Sequence, residues 1–239
     1  MSENLLMKKS KKGKNLYYFV LLGFILSIIY SICMIVYAPS EEVNTLFRQK
    51  SDYVLMLLQC ILGIFAMNLP SFLNRKFNVT IPNNTIIAYL IFLYAAIVLG
   101  EARSFYYRFT YWDTVLHAFS AGMLGSLGFD IVNVLNKTAD DKELKLSPFF
   151  VALFSFCFAV SIGVLWEIYE LSFDGILHLN MQKFRLEDGT NLIGREALRD
   201  TMDDLIIDCV GALTTSTIGY FGLKHSKAKN LDTKSDIEV

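Results

Sequence analysis

Charged residues and paired cysteines are scarce in this sequence. Asp, Glu, Lys and Arg make up 19% of the 239 residues, against about 25% in an average soluble domain. The net charge of -1 indicates no basic surface for nucleic acid. The cysteines share no paired spacing, which argues against a zinc motif or a disulfide framework; they are Cys33, Cys60, Cys157 and Cys209. The HExxH and GxSxG catalytic motifs are also missing.

Apolar residues take the place of charge, at 54% of the chain and a mean hydropathy of +0.41. A membrane-crossing helix needs about 20 mainly apolar residues. Backbone groups in lipid must be satisfied internally, so spans of this kind are helices. We therefore predict an all-α, multi-pass membrane bundle whose six transmembrane helices lie at about 16–38, 53–73, 85–103, 112–135, 149–173 and 203–223.

The distribution of Lys and Arg predicts the orientation of this six-helix domain, 16–223. The tails 1–15 and 224–239 and the connections on their side of the membrane hold 14 of these residues, and the other side holds 8. The richer side is expected to be cytoplasmic, which places both termini there and the protein in the cell membrane. Both tails are expected to be disordered. The long connection 174–202 then lies outside, and its Glu187-Asp188-Gly189-Thr190 stretch predicts a hairpin turn.

Ionisable residues inside the spans form the most informative pattern. In an up-and-down bundle the end of the fifth span and the starts of the fourth and sixth meet at one face, the outer one. Spacings of three or four residues place the acids of each helix on one side of it. The candidate catalytic residues are Asp113, His117, Glu167, Glu170, Asp204 and Asp208.

Structural explanations compete with this functional one. Carboxylates at helix starts, such as Asp113 and Asp203 or Asp204, can be caps favoured by the helix dipole. Glu167, Glu170 and Asp174 lie at a helix end, where the dipole disfavours negative charge, so a positive group is expected to compensate them. The options are a metal ion, bound protons, or one of Arg103, Arg108, Arg195 and Arg199.

A divalent metal site is one use of this cluster. One imidazole with several carboxylates suits zinc, manganese or magnesium. The predicted ligands are His117, Glu167, Glu170 and Asp208. Ser120, one turn after His117, is either a nucleophile or a packing residue.

Small residues on the fourth and sixth spans predict that these helices pack closely, since small side chains let backbones approach in lipid. They are Ala118, Gly122, Gly125 and Gly128 on one helix, and Gly211, Thr215 and Gly219 on the other.

The order of these motifs resembles a known bacterial family. Asp113-xxx-His117 opens one helix, Trp166-Glu167-xx-Glu170 closes the next, and Asp200-Thr-Met-xx-Asp204-xxx-Asp208-xx-Gly211 opens a third. This half of the chain, from about Glu101 to Gly219, is similar to the YjdF-type inner-membrane family and more distantly to VanZ-like proteins. The resemblance implies a small multi-pass protein of the cell envelope with no assigned activity.

Three functions remain open from the sequence. The first is an enzyme acting on a lipid or lipid-linked substrate, with His117 and the carboxylates as acid, base or metal ligands. The second is a cation- or proton-coupled transporter, against which the apolar cytoplasmic halves of spans four to six argue. The third is a structural or regulatory membrane protein whose acidic cluster is an ion-pair network.

Overall fold

The computed structural model describes residues 11–37, 50–77, 81–138, 146–186 and 190–235, and their regular secondary structure is helical apart from one isolated antiparallel bridge between Arg185 and Asn191. Six of its helices are long and apolar enough to cross a membrane, which confirms the predicted all-α bundle of six spans. They cover Lys12–Tyr37, Lys50–Lys76, Asn83–Ala102, Trp112–Leu135, Pro148–Leu177 and Arg199–Ser226.

The helical elements are numbered along the chain. They are α1 Lys11–Tyr37, α2 Lys50–Ala66, α3 Leu69–Phe77, α4 Asn83–Leu93, a π-helix Tyr94–Ala102, α5 Phe105–Arg108, α6 Trp112–Thr138, α7 Pro148–Leu177 and α8 Arg199–Ser235. The C-terminal segment was expected to be a disordered tail from residue 224, but α8 continues to Ser235, so that expectation is wrong for most of the segment. Residues 1–10 of the N-terminal tail lie outside the described residues.

The chain divides into two compact units. Unit 1 contains Met1–Leu116 and Ile168–Thr201, and unit 2 contains His117–Glu167 and Met202–Val239.

The exposed surface of the spans is apolar. Along α8, for example, Val210, Leu213 and Ile218 are 55, 58 and 68% exposed, whereas Asp204 and Asp208 on the same helix are buried. A soluble protein shows the opposite arrangement, with charge outside and apolar side chains inside. The surface therefore matches a lipid solvent.

A proline shapes the second span. Pro70 has no N–H to donate to the carbonyl of Ala66, and its ring crowds that carbonyl, so the span breaks at Met67 and Asn68 into α2 and α3. The freed Ala66 carbonyl accepts a hydrogen bond of 2.9 Å from the Tyr89 hydroxyl on α4. The break thus gives unit 1 a polar contact between spans without leaving a buried carbonyl unpaired.

The third span ends in wide π-helical turns. The N–H of Arg103 reaches back five residues to the carbonyl of Val98 at 3.0 Å, and Ser104 then takes a left-handed conformation with φ 60°. Gly100 contacts the Tyr106 ring so closely that a Cβ there would overlap it. These features turn the chain sharply out of the span and into α5.

Unit 1 has an apolar core formed by α1, α2, α4 and the π-helix. Its fully buried members include Val20, Phe24, Met56 and Leu90. Gly63 on α2 leaves space for the Phe24 ring, since a Cβ at position 63 would lie 2.9 Å from Cζ of that ring. Contacts of this kind hold the first three spans together.

Unit 2 packs through small residues, as the sequence predicts. A Cβ at Gly211 on α8 would lie 3.0 Å from the Ala118 carbonyl oxygen on α6, and one at Gly125 would lie 3.2 Å from Thr215. The tightest backbone contact joins α6 and α7, where a Cβ at Gly128 would lie 2.7 Å from the Cα of Ser155. Side chains larger than hydrogen are excluded at this last position.

Gly128→Ala should therefore destabilise the protein, because the clash is with backbone that cannot rotate away. We expect a loss of about 1–3 kcal/mol, typical of overpacking, seen as a lower melting temperature in detergent. Gly175→Ala is the matched control, since no atom lies within 4 Å of its added Cβ. Equal melting temperatures for the two variants would contradict this account of the packing.

Candidate functional site

His117 is the centre of a buried polar cluster in unit 2. Its side chain projects from α6 and only 8% of the residue is exposed. Nδ1 lies 3.3 Å from Oδ1 of Asp208, and Nε2 lies 3.6 Å from Oδ2 of Asp204. Each nitrogen of the ring therefore faces a carboxylate of α8.

The spacing along α8 explains why these two acids face inward together. Asp204 and Asp208 are four residues apart, so they lie on one side of the helix, and they are 5 and 3% exposed. Ala212 and Ser216 continue the same buried side. Asp203, the direct neighbour of Asp204, is exposed.

Helix α7 contributes two residues to this part of unit 2, a third carboxylate and a glycine whose missing side chain leaves space. Glu167 is 5% exposed and lies four residues after Gly163, on the same side of α7. Gly163, one turn earlier on the same face, abuts Asp208, and an added Cβ would overlap Oδ2 of that residue. The sequence analysis missed Gly163, although its spacing of four from Glu167 is the signal that would have found it.

Ser120 is bonded within its own helix. Its hydroxyl donates to the carbonyl oxygen of His117 at 2.9 Å, a common backbone bond for serine in a helix. The bond uses the hydroxyl proton. This geometry supports the packing role of Ser120 over the nucleophile.

Asp174, in unit 1, has a structural role that its position at a helix end did not predict. Its two carboxylate oxygens accept the backbone N–H groups of Met181 and Gln182 at 2.8 and 2.9 Å. Two backbone amides therefore bind this carboxylate directly. Leu179 and Met181 pack beside this contact against Leu55 of α2, which fixes the segment that follows α7.

This fixed segment carries Lys183 to the acids at the beginnings of α6 and α8. Its ammonium pairs with Asp113 and lies 3.6 Å from Oδ1 of Asp200, with the Tyr106 ring 5.0 Å away. The sequence analysis considered four arginines as counter-ions and missed this lysine. Nothing local to position 183 signals the contact, because Lys183 and Asp113 are 70 residues apart.

The flanks of the predicted hairpin turn pair in unit 1. Leu186 N–H donates to the Thr190 carbonyl at 3.0 Å, and Leu192 N–H donates to the Phe184 carbonyl at 2.8 Å. Residues 187–189, the centre of the predicted turn, lie outside the described residues. The paired flanks are those that a turn over these residues would join.

The structure thus groups His117, Glu167, Asp204 and Asp208 in unit 2. Asp113 and Glu170 belong to unit 1, where Asp113 pairs with Lys183 and Glu170 is buried. Asp113 precedes His117 by one turn of α6, which leaves both side chains on the same side of that helix. The catalytic and metal-binding roles of all six residues stay predictions.

Comparison with known proteins supports the membrane location. Residues 15–225 match a family described as predicted membrane protein, DUF2238. The chain belongs to this family. A relative from Thermotoga maritima, described only as an uncharacterised protein, is 31% identical over 124 residues, which are 52% of this chain and 55% of the relative. The chain therefore spans about half the length of the curated relative it matches, and no solved structure matches it.

The family description names a membrane and no reaction. Function therefore has to be argued from the site.

The ion pair between Lys183 and Asp113 should be measurable as coupled stability. Lys183→Met and Asp113→Asn should each lower the free energy of unfolding by about 1–2 kcal/mol, as for a partly buried charged hydrogen bond. The double variant should lose less than the sum, because the pair is lost only once. Additive losses in chemical denaturation in detergent would show that the pair contributes nothing.

Proposed function

We propose that this protein is a metal-dependent membrane enzyme that hydrolyses a lipid or lipid-linked substrate. In this proposal His117 and Asp204 bind a divalent cation, and the cation activates a water molecule. The observation that carries the proposal is the pair of buried ligand atoms, Nε2 and Oδ2, 3.6 Å apart.

That separation is longer than a hydrogen bond, whereas Nδ1 of His117 and Oδ1 of Asp208 lie within hydrogen-bond distance at 3.3 Å. Two ligands that each lie about 2.1 Å from one metal ion are about 3.0–3.4 Å apart in octahedral or tetrahedral geometry. A small rotation of the Asp204 carboxylate brings the observed 3.6 Å into that range.

The chemistry of the donors favours zinc or manganese. Imidazole suits transition metals, and carboxylates suit these and harder ions. Glu167, which is buried on the side of α7 where Gly163 meets Asp208, is the candidate base that would accept the proton of the attacking water. Burial of these groups favours an apolar substrate that arrives from the bilayer.

We place the enzyme in the cell membrane with both termini in the cytoplasm. The excess of Lys and Arg on that side, 14 against 8, supports this orientation. It puts the candidate site near the outer face, where the resemblance to YjdF-type and VanZ-like proteins would also place an envelope function. A C-terminal green fluorescent protein fusion should fluoresce, whereas an alkaline phosphatase fusion at the same point should be inactive.

A structural role is the second candidate, and unit 1 favours it. Lys183 pairs with Asp113 and lies 3.6 Å from Asp200, and Asp174 accepts two backbone N–H groups. These contacts hold the segment after α7 in place and require no catalytic role for the acids. If the cluster around His117 also has only a structural role, its variants will differ from the wild type in stability. They will contain as much metal as the wild type.

Purified wild-type protein should contain about one divalent metal ion per chain, and His117→Ala should contain much less, because the imidazole is a ligand. Elemental analysis after purification without chelators measures this. His225→Ala is the matched control, since that histidine is exposed on α8. Equal metal content in the wild type and His117→Ala would contradict the proposed site.

Adjacent aspartates give a second test. Asp204→Asn should lose metal and should also lose hydrolysis of bilayer lipids, followed by mass spectrometry of lipids reconstituted with the protein. Asp203→Asn should retain both, because Asp203 is exposed. If the wild type contains metal but does not hydrolyse lipid, the metal site is supported and the proposed reaction is rejected.

A further inference from the structure

Asp208 lies between an imidazole and a helix backbone. Its Oδ1 faces Nδ1 of His117 at 3.3 Å. Its Oδ2 occupies the volume that any side chain at Gly163 would fill, and its Cγ would lie 3.1 Å from a Cβ at that position. The carboxylate is therefore held on both sides within unit 2.

Asp208 and Asp204 differ in the nitrogen of the His117 ring that each one faces. The first carboxylate meets Nδ1 of His117 and the second meets Nε2, so the two acids address opposite sides of the ring. A metal held at Nε2 would be bound to the ring nitrogen that Asp208 does not face. In many metal centres a carboxylate on the other ring nitrogen fixes the tautomer and the direction of the imidazole.

We propose that Gly163 and Asp208 are positioning residues for His117 in the metal centre proposed above, on which this inference rests. The missing side chain at Gly163 lets Asp208 reach Nδ1. That contact keeps a proton on Nδ1 and turns Nε2 toward Asp204 and the metal. Asp208, predicted from the sequence as a ligand, then acts through His117.

Helix energetics agree with a specific use of Gly163. Within a helix interior, glycine is less favourable than alanine. Gly163 lies in the middle of α7, a helix of 30 residues. Alanine would fit the helix better, but it would push the Asp208 carboxylate away from His117.

The test compares Gly163→Ala with Gly222→Ala in chains that also carry His178→Ala and His225→Ala, so that His117 is the only one of the three histidines left. No atom lies within 4 Å of a Cβ added at Gly222. Gly222→Ala therefore makes the same chemical change without displacing a neighbouring side chain. Two readouts are taken: the downfield proton signal of Nδ1–H in metal-free protein, and cobalt affinity from visible absorption.

We expect Gly163→Ala to lose the Nδ1–H signal and to bind cobalt about 10–100-fold more weakly, as for loss of an outer carboxylate. Asp208→Asn adds no atoms and should weaken cobalt binding by a similar factor, so it replaces Gly163→Ala if that variant fails to fold. Gly222→Ala should match the wild type in both readouts.

A Gly163→Ala protein with wild-type signal and affinity would overturn the inference. So would cobalt bound at Nδ1 of the wild type. If the parent chain binds no cobalt but loses its Nδ1–H signal on Gly163→Ala, the positioning of His117 is supported and the metal centre is rejected.

Discussion

The hydrocarbon core of a bilayer offers no water to polar groups, and this constraint governs the polar contacts within the spans. A carbonyl, amide or carboxylate within a span must find its partner in the protein. The carbonyl of Ala66, freed by Pro70, is met by the hydroxyl of Tyr89. The carboxylate of Asp174 is met by two backbone amides. Asp204 and Asp208 are consequently buried, whereas apolar residues of the same helix, such as Val210, face outward.

Close helix packing follows from the same constraint. Lipid removes the hydrophobic force between spans, so they associate through shape and polar contacts. Glycines give the helices of unit 2 two different contacts. Gly128 admits the backbone of α7, which is a matter of packing alone. Gly163 admits a carboxylate, and it thereby links the packing of α7 to the orientation of His117.

The acids of this protein fall into two chemical groups. In unit 1, Asp113 and Asp200 have a lysine beside them, and Asp174 has amide donors. In unit 2, Asp204 and Asp208 flank an imidazole, and Glu167 is buried on α7. An imidazole between carboxylates can bind metal or exchange protons, whereas a lysine ion pair mainly holds a loop. For this reason the function proposed above rests on the residues of unit 2.

The sequence by itself determined the six spans, the buried acidic sides of α7 and α8 and the close faces of α6 and α8, because hydropathy and helical spacing are local properties. It also selected His117 with its carboxylates as the candidate site. Only the tertiary structure decided which acid meets which partner. Lys183 finds Asp113 from 70 residues away, and Gly163 meets Asp208 on another helix. Such pairings depend on the rotation and register of packed helices, which no local pattern encodes.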